Sequence, residues 1–454
     1  MAYQERTTTS YGQRLGKSGK GIGTGILLLI AGTVLLWINE GRAVKTTRML
    51  NEAQKKAIHV EDVSTVNPEL DGQLIHATAM AETNDSLTDP TFGAGAVAIR
   101  LSREVEYYQW VEKKHEETRD KIGGGQETIT TYTYDKEWVS RPVPSAEFKD
   151  PEYKNVNFTL ANLESKDQYA ENVSFGAYKM PSCLYQQMSG REPVELNFTE
   201  ELKKEWNNSA MTILKSRLPV DTASLDQTDL VHVQGNVAYF GKSTVIPEIG
   251  DVKVTFTMTR PGQVSLIAQV YQDNLQEFTA KNGKKFCTLT MGAVDMDSMF
   301  TSEHNKNSAL TWILRIAGFL LVVFGLKSLF EILVTLFKVL PFLASIVNFG
   351  VGAVCWIVGA VWSIVVIGIA WIFYRPVLGV SLLVAAGVII GYFAMKGKKR
   401  PAPEGVSWIN PRSGPGPRQA RVISQSSAPR GGSAGVLPRW NCPQSDWTRR
   451  NRRS

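Results

Sequence analysis

The sequence predicts a membrane protein: four transmembrane α-helices, one N-terminal and three C-terminal, with a large β-rich α+β non-cytoplasmic domain between the first and second. Three observations predict this. Gly21–Ile38 reads GIGTGILLLIAGTVLLWI, eighteen residues without a charge, close to the ~20 residues that cross a bilayer's hydrocarbon core. Strong hydropathy returns only after residue 309 and then recurs in three segments. The roughly 270 residues between alternate apolar and polar positions in the two-residue period of half-buried strands.

Taken in order, residues 1–20 form a basic cytosolic N-terminus carrying Arg6, Arg14, Lys17 and Lys20. Gly16-Lys17-Ser18 imitates the end of a phosphate-binding loop, but only Gln13, Arg14 and Leu15 separate Gly12 from Gly16 and no apolar strand precedes them. The motif needs four intervening residues between a strand and a helix, so a nucleotide site is not expected. Residues 21–38 make the first span and residues 39–309 the lumenal or extracytoplasmic domain. The second span is 310–326, apolar apart from Arg315 and bordered by Trp312. Residues 327–345, interrupted by Lys327, Glu331 and Lys338 and closed by Pro341, suit an interfacial connecting helix. The third span, 346–373, contains Gly350, Gly352, Gly359 and Gly368, small residues that permit close helix packing. Tyr374-Arg375-Pro376 turns the chain, because proline lacks a donor and disfavours helix in the residue before it. The fourth span is 377–395, and 396–454 is a basic tail rich in Pro, Gly, Ser and Arg that is expected to be disordered.

Charge placement sets the orientation. The chain's net +7 is concentrated at its end: from residue 396 on, thirteen Lys/Arg face only Glu404 and Asp446. Positive residues favour the cytoplasmic side, which puts both termini there and the domain on the other side. A basic tail of this kind suits membrane lipids, and no nucleic-acid partner is expected.

Within the domain, Val97–Tyr107 reads as a strand continuing into a long hairpin over 107–139, turned by Gly123-Gly124-Gly125. Val252–Met258 and Val264–Tyr271 read as a second strand pair around Pro261-Gly262, and Lys281-Asn282-Gly283 as a third turn leading into 286–291. Residues 199–218 have helical spacing.

The search for chemistry returns no catalytic residue, no cofactor site and no metal site. None of the four cysteines forms a CxxC or Cys/His cluster with zinc spacing. Cys183 and Cys287 share the domain and are a candidate disulfide if it is lumenal. None of the five histidines belongs to an HExxH, and His115 lies in a charged hairpin arm. Asn84, Asn157, Asn172, Asn197 and Asn207 are candidate glycosylation sites, meaningful only in a secretory compartment. Arg315 is the intramembrane or interfacial charge. It is read as reaching past Trp312 to the headgroups rather than as a transport charge, because long basic side chains near helix ends reach the interface.

Several strings then coincide in order and spacing: Asn39-Glu40-Gly41-Arg42-Ala43 after the first span, Tyr108-Gln109-Trp110-Val111-Glu112 in the hairpin, and Gly250-Asp251-Val252-Lys253-Val254 opening the later strand. Asn307-Ser308 with Trp312 enters the second span, and Phe373-Tyr374-Arg375-Pro376 separates the last two. Together these resemble the LUMA family (transmembrane protein 43) over roughly residues 20–400. The resemblance implies a multi-pass protein of the endoplasmic reticulum and inner nuclear membrane, or of the cell inner membrane in a bacterium. It implies a homo-oligomer and a non-enzymatic scaffold that organises nuclear-envelope complexes through contact with lamins and emerin-type proteins. A channel or transporter component is the alternative. The tail departs from the family pattern, which ends soon after the last span.

Overall fold

Helix α1 (Tyr11–Lys56, 46 residues) starts at a capping box: the Ser10 hydroxyl accepts from Gln13 N while the Gln13 side chain accepts from Ser10 N. It runs ~69 Å at 1.5 Å per residue, well beyond the expected span at both ends. The computed structural model describes residues 3–217, 228–339 and 341–377, together with 381, 384 and 388. Its other helices are α2 (Ser182–Tyr185), α3 (Glu200–Arg217), α4 (Met296–Phe337) and α5 (Pro341–Tyr374). Among the described residues three helices are long and apolar enough to cross a membrane: Tyr11–Lys56, Met296–Phe337 and Ile346–Tyr374. The expected fourth span, 377–395, lies almost wholly outside the described residues, as do the tail and Cys442.

Helix α4 absorbs both the expected second span and most of the connecting helix. The break expected at 326 is absent because Lys327, Ser328 and Glu331 interrupt hydropathy without interrupting backbone hydrogen bonding. Pro341 is the first residue that cannot continue the ladder, and α5 starts there. Helices α1 and α4 pack antiparallel through glycines. A Cβ on Gly25 would lie 2.9 Å from Gly325 O, and one on Gly32 would lie 2.8 Å from Gly318 O. Among the described residues, of the four glycines singled out in the third span only Gly359 meets a neighbour, chiefly the Val323 side chain; a Cβ at Gly350, Gly352 or Gly368 would have nothing within 4 Å.

Beyond the apolar windows, α1 and α4 enter the domain. Met49, Leu50 and Ala53 of α1 and Met299 and Phe300 of α4 are buried with Leu74, Ile267, Phe278 and Phe286. Asp295 caps α4, its carboxylate accepting from Ser298 N at 2.9 Å.

The domain contains two large sheets. In the first, the long hairpin Arg100–Asp120/Gln126–Val139 is extended by Val252–Thr259, Val237–Phe240 and Val231–Gln234. Its core holds Val105, Tyr107, Phe240, Val254 and Phe256, covered by Ala210 and Leu214 of α3. In the second, Gly262–Tyr271 pairs with Leu74–Thr83 on one side and Thr288–Met291 on the other. The hairpin, its glycine turn (Gly123 φ 90°, Gly124 φ 82°) and α3 fall where the sequence puts them. The expected pairing of 252–258 with 264–271 does not form. Both edges of Val252–Thr259 are taken by Arg100–Tyr107 and Val237–Phe240, and the chain crosses to the second sheet at Arg260-Pro261.

An N-terminal strand, Tyr3–Thr9, has no counterpart in the sequence reading. It pairs antiparallel with the far end of the hairpin, Thr7 opposite Thr128. Arg14 follows, 5% exposed, its guanidinium donating to Gly124 O at 3.0 Å and Gly125 O at 3.2 Å, and 2.8 Å from Asp120. Paired strands lie ~4.8 Å apart and a polar strand cannot stand in lipid. The ladder puts residues 3–9 beside 126–132, whereas the orientation read from charge puts residues 1–20 and 39–309 on opposite faces. The paired variant Thr7→Cys/Thr128→Cys is expected to cross-link within one chain under mild oxidation in native membranes. Failure to cross-link, with the two thiols labelled from opposite faces, would refute the ladder.

Candidate functional site at the junction of helices and domain

Where α1, α4 and α5 leave the apolar zone, each contributes polar residues that a lipid environment would penalise unless they meet. From α1 come Asn39, Glu40 and Arg42; from α4, Asn307, Thr311 and Arg315; from α5, Trp371 and Tyr374. Arg315 forms a two-pronged pair with Glu40, Nε to Oε1 at 2.6 Å and Nη2 to Oε2 at 2.9 Å. Trp371 Nε1 donates to Glu40 Oε2 at 2.8 Å. The Arg315 guanidinium also lies over the Trp312 ring, 4.9 Å from its centroid. The Glu40 side chain is 1% exposed and that of Arg315 17%.

A second layer adjoins this pair. Arg42 donates to Asn307 Oδ1 at 3.0 Å, Thr311 Oγ1 at 2.9 Å and Asn39 Oδ1 at 3.2 Å. Asn39 in turn donates to Thr311 O at 3.0 Å, and Asn307 to Ala43 O at 3.2 Å. Tyr374 ends α5 with its ring against Gly41, where a Cβ would come within 2.7 Å, and with its carbonyl accepting from Arg48 at 2.6 Å. Arg375 N donates to Trp371 O at 2.7 Å. The headgroup-directed reading of Arg315 is thus replaced by a buried pair. Desolvation decides it: once the carboxylate is buried, a two-pronged guanidinium is the partner that satisfies both oxygens. Sequence reasoning passed over Glu40, Asn307 and Trp371 as partners. The available signal was that Glu40 is the first charge after one apolar run and Arg315 the charge inside another, with opposite signs.

The other sequence-predicted positions fall elsewhere. Cys183 and Cys287 come together on the rim of the second sheet's core, both free thiols. Asn84, Asn172 and Asn197 are exposed. Asn157 is tied into the fold, donating to Trp110 O at 2.9 Å and Val143 O at 3.2 Å and accepting from Trp110 N at 2.9 Å. Asn207 lies in α3 and accepts from Leu230 N at 2.7 Å. His115 is exposed, as expected, while His59 and His76 meet through their Nδ1 atoms at 2.9 Å.

In the first sheet, Asp251 is buried and its carboxyl is pushed up to about 6 by desolvation, with the Tyr239 hydroxyl donating to it at 2.6 Å. A cleft of about 400 Å³ beside it is lined by Trp138, His232, Tyr239 and Lys253. Lys253 is paired with Glu106 at 2.6 Å and lies over the Trp138 ring.

Comparison with known proteins matches the chain to a known family. The family described as Transmembrane protein 43 matches residues 107–376, more than half of the chain. Transmembrane protein 43 of Rattus norvegicus is 28% identical over 375 residues, covering 80% of this chain and 87% of the rat protein. That of Homo sapiens is 28% identical over 389 residues, covering 83% and 90%. The Transmembrane protein 43 homolog of Drosophila melanogaster is 27% identical over 369 residues, covering 80% and 90%. No solved structure matches the chain. The chain belongs to the transmembrane protein 43 family.

Proposed function

We propose that this family member is a non-enzymatic multi-pass membrane scaffold that self-associates and carries its domain as a docking body for other proteins. The observation that carries the reading is the Glu40–Arg315–Trp371 node, which ties three apolar helices together at the point where two of them continue into the domain. A domain fixed to its membrane helices presents one orientation to a partner, which lowers the ordering cost of binding. Endoplasmic reticulum and inner nuclear membrane are the proposed location, with lamins and emerin-type proteins as proposed partners. A channel reading would use Arg315 as a charge facing water, and Glu40 already answers that charge.

Self-association draws on α5. Among the described residues, a Cβ added at Gly350, Gly352 or Gly368 would meet no atom within 4 Å, and the large side chains Phe349, Ile357 and Ile364 are 80%, 65% and 69% exposed. Small residues let helix backbones approach closely in lipid. Gly352→Ile is expected to shift the detergent-solubilised protein toward monomer by light scattering while leaving its thermal midpoint unchanged. A parent protein that is already monomeric in detergent and in native membranes would defeat the self-association part of the reading. Loss of proximity labelling of lamin and emerin-type proteins on deleting the domain would support the partner part; unchanged labelling would count against it.

A further inference from the structure

We propose that Cys183, Cys287 and Glu277 form a site for a borderline-soft divalent cation of the zinc class. The three residues come from separate segments. Cys183 lies in the short helix α2, Glu277 between the strands Asn274–Gln276 and Phe278–Thr279, and Cys287 between Lys285–Phe286 and Thr288–Met291. Their ligand atoms nonetheless all lie within 4.8 Å of one another. Around a tetrahedral zinc, with Zn–S ~2.3 Å and Zn–O ~2.0 Å, ligand atoms stand ~3.5–3.8 Å apart. The closure required is therefore at most about 1.3 Å, with a water left to complete the set.

The frame that holds the two sulfurs is built from backbone contacts. Gln187, one turn after Cys183, donates to Cys183 O and accepts from Leu289 N at 3.2 Å, tying the α2 segment to the strand that follows Cys287. Both cysteines pack against the second sheet's core and are half-buried, accessible to an ion yet held at one position.

The charges suit a dication. Two thiolates and one carboxylate bring three negative charges, answered by the dication and by Lys285, which lies 3.1 Å from Glu277 Oε2. That ion pair is largely exposed, so it holds the carboxylate weakly. Glu303 adds negative field at Cys287 but is itself bound by Lys306 at 2.7 Å and Thr288 at 3.0 Å. Binding releases two thiol protons to solvent, so affinity rises with pH.

A disulfide between the same sulfurs is the competing fate. It requires an oxidant, draws the sulfurs to ~2.0 Å and makes no use of Glu277. The test uses the full chain purified in detergent with a phosphine reductant and no chelator. Elemental analysis is expected to find one zinc per chain, and Co²⁺ titration a thiolate-to-cobalt charge-transfer band. Cys183→Ser and Cys287→Ser are each expected to abolish both signals with circular dichroism unchanged, and Glu277→Gln to weaken Co²⁺ binding at least tenfold. Metal retained by both serine variants would overturn the proposal. So would a Cys183–Cys287 disulfide that forms as completely with zinc present as without it.

Discussion

Arg315→Ala is expected to destabilise the helix assembly by about 3–5 kcal/mol, the range for removing one partner of a buried ion pair. The cost arises on the side that remains. Glu40 is fully buried and, among the described residues, would keep only the Trp371 N–H as a donor. Arg315→Lys is expected to recover part of the loss, since an ammonium keeps the charge but cannot reproduce the two-pronged fork. The double variant Glu40→Gln/Arg315→Met is expected to be far less damaging than the sum of its single changes, because no charge is left without a partner. Thermal unfolding in a mild detergent, followed by near-ultraviolet circular dichroism of the node's tryptophans, reads the parent, the two Arg315 variants, Glu40→Gln, Arg315→Met and the double variant. Additive effects in that cycle would show that the two side chains do not act as a pair.

Gly32→Leu is the second large effect, expected at roughly 3 kcal/mol or more, the upper end of what overpacking costs. Even the first carbon of a side chain at Gly32 would meet Gly318 O at 2.8 Å and Val322 N at 2.9 Å, both backbone atoms that cannot swing aside. Helices α1 and α4 would have to separate along their whole crossing, loosening Gly25 against Gly325 and the Ser18–Thr335 hydroxyl contact at 2.8 Å. Gly32→Ala should show a smaller loss in the same direction. Gly23→Leu provides the control: Gly23 is on the same helix, exposed and, among the described residues, a Cβ there would meet no neighbour within 4 Å, so it should tolerate the change. Equal destabilisation by the Gly23 and Gly32 variants would remove the glycine crossing from the account.

What the sequence made legible followed from periodicity. Of the four spans expected from hydropathy, three fall on long apolar helices and the fourth lies almost wholly outside the described residues, while alternation found the long hairpin with its glycine turn. Helical spacing found α3 to within a residue of its first turn, where Thr199 accepts from Leu202 N at 3.2 Å. Helix lengths were underestimated because hydropathy marks only what lipid covers. The ends of α1 and α4 are held by amphipathic packing of Met49, Leu50, Met299 and Phe300 against the domain, which a span-length window does not register. The crossing of Val252–Thr259 and Gly262–Tyr271 into different sheets depends on which strand edges are already occupied, and that is a long-range property. The node and the thiol–carboxylate cluster were hidden for the same reason. Glu40 and Arg315 lie 275 positions apart, and Glu277 lies far from Cys183, so no local spacing announces either. The hydrogen-bonded N-terminal strand YQERTTT lacks an apolar face and gains its structure only from the hairpin edge it joins.

The central claim is that the node fixes the domain to its membrane helices as one body. The most direct measurement places spin labels at Phe349 in α5 and Val245 in the domain, both strongly exposed, and records their distance distribution by pulsed electron resonance in lipid nanodiscs. A single narrow distribution that broadens on Arg315→Ala is the expected result. A distribution equally broad in the parent protein and in the variant would contradict the claim.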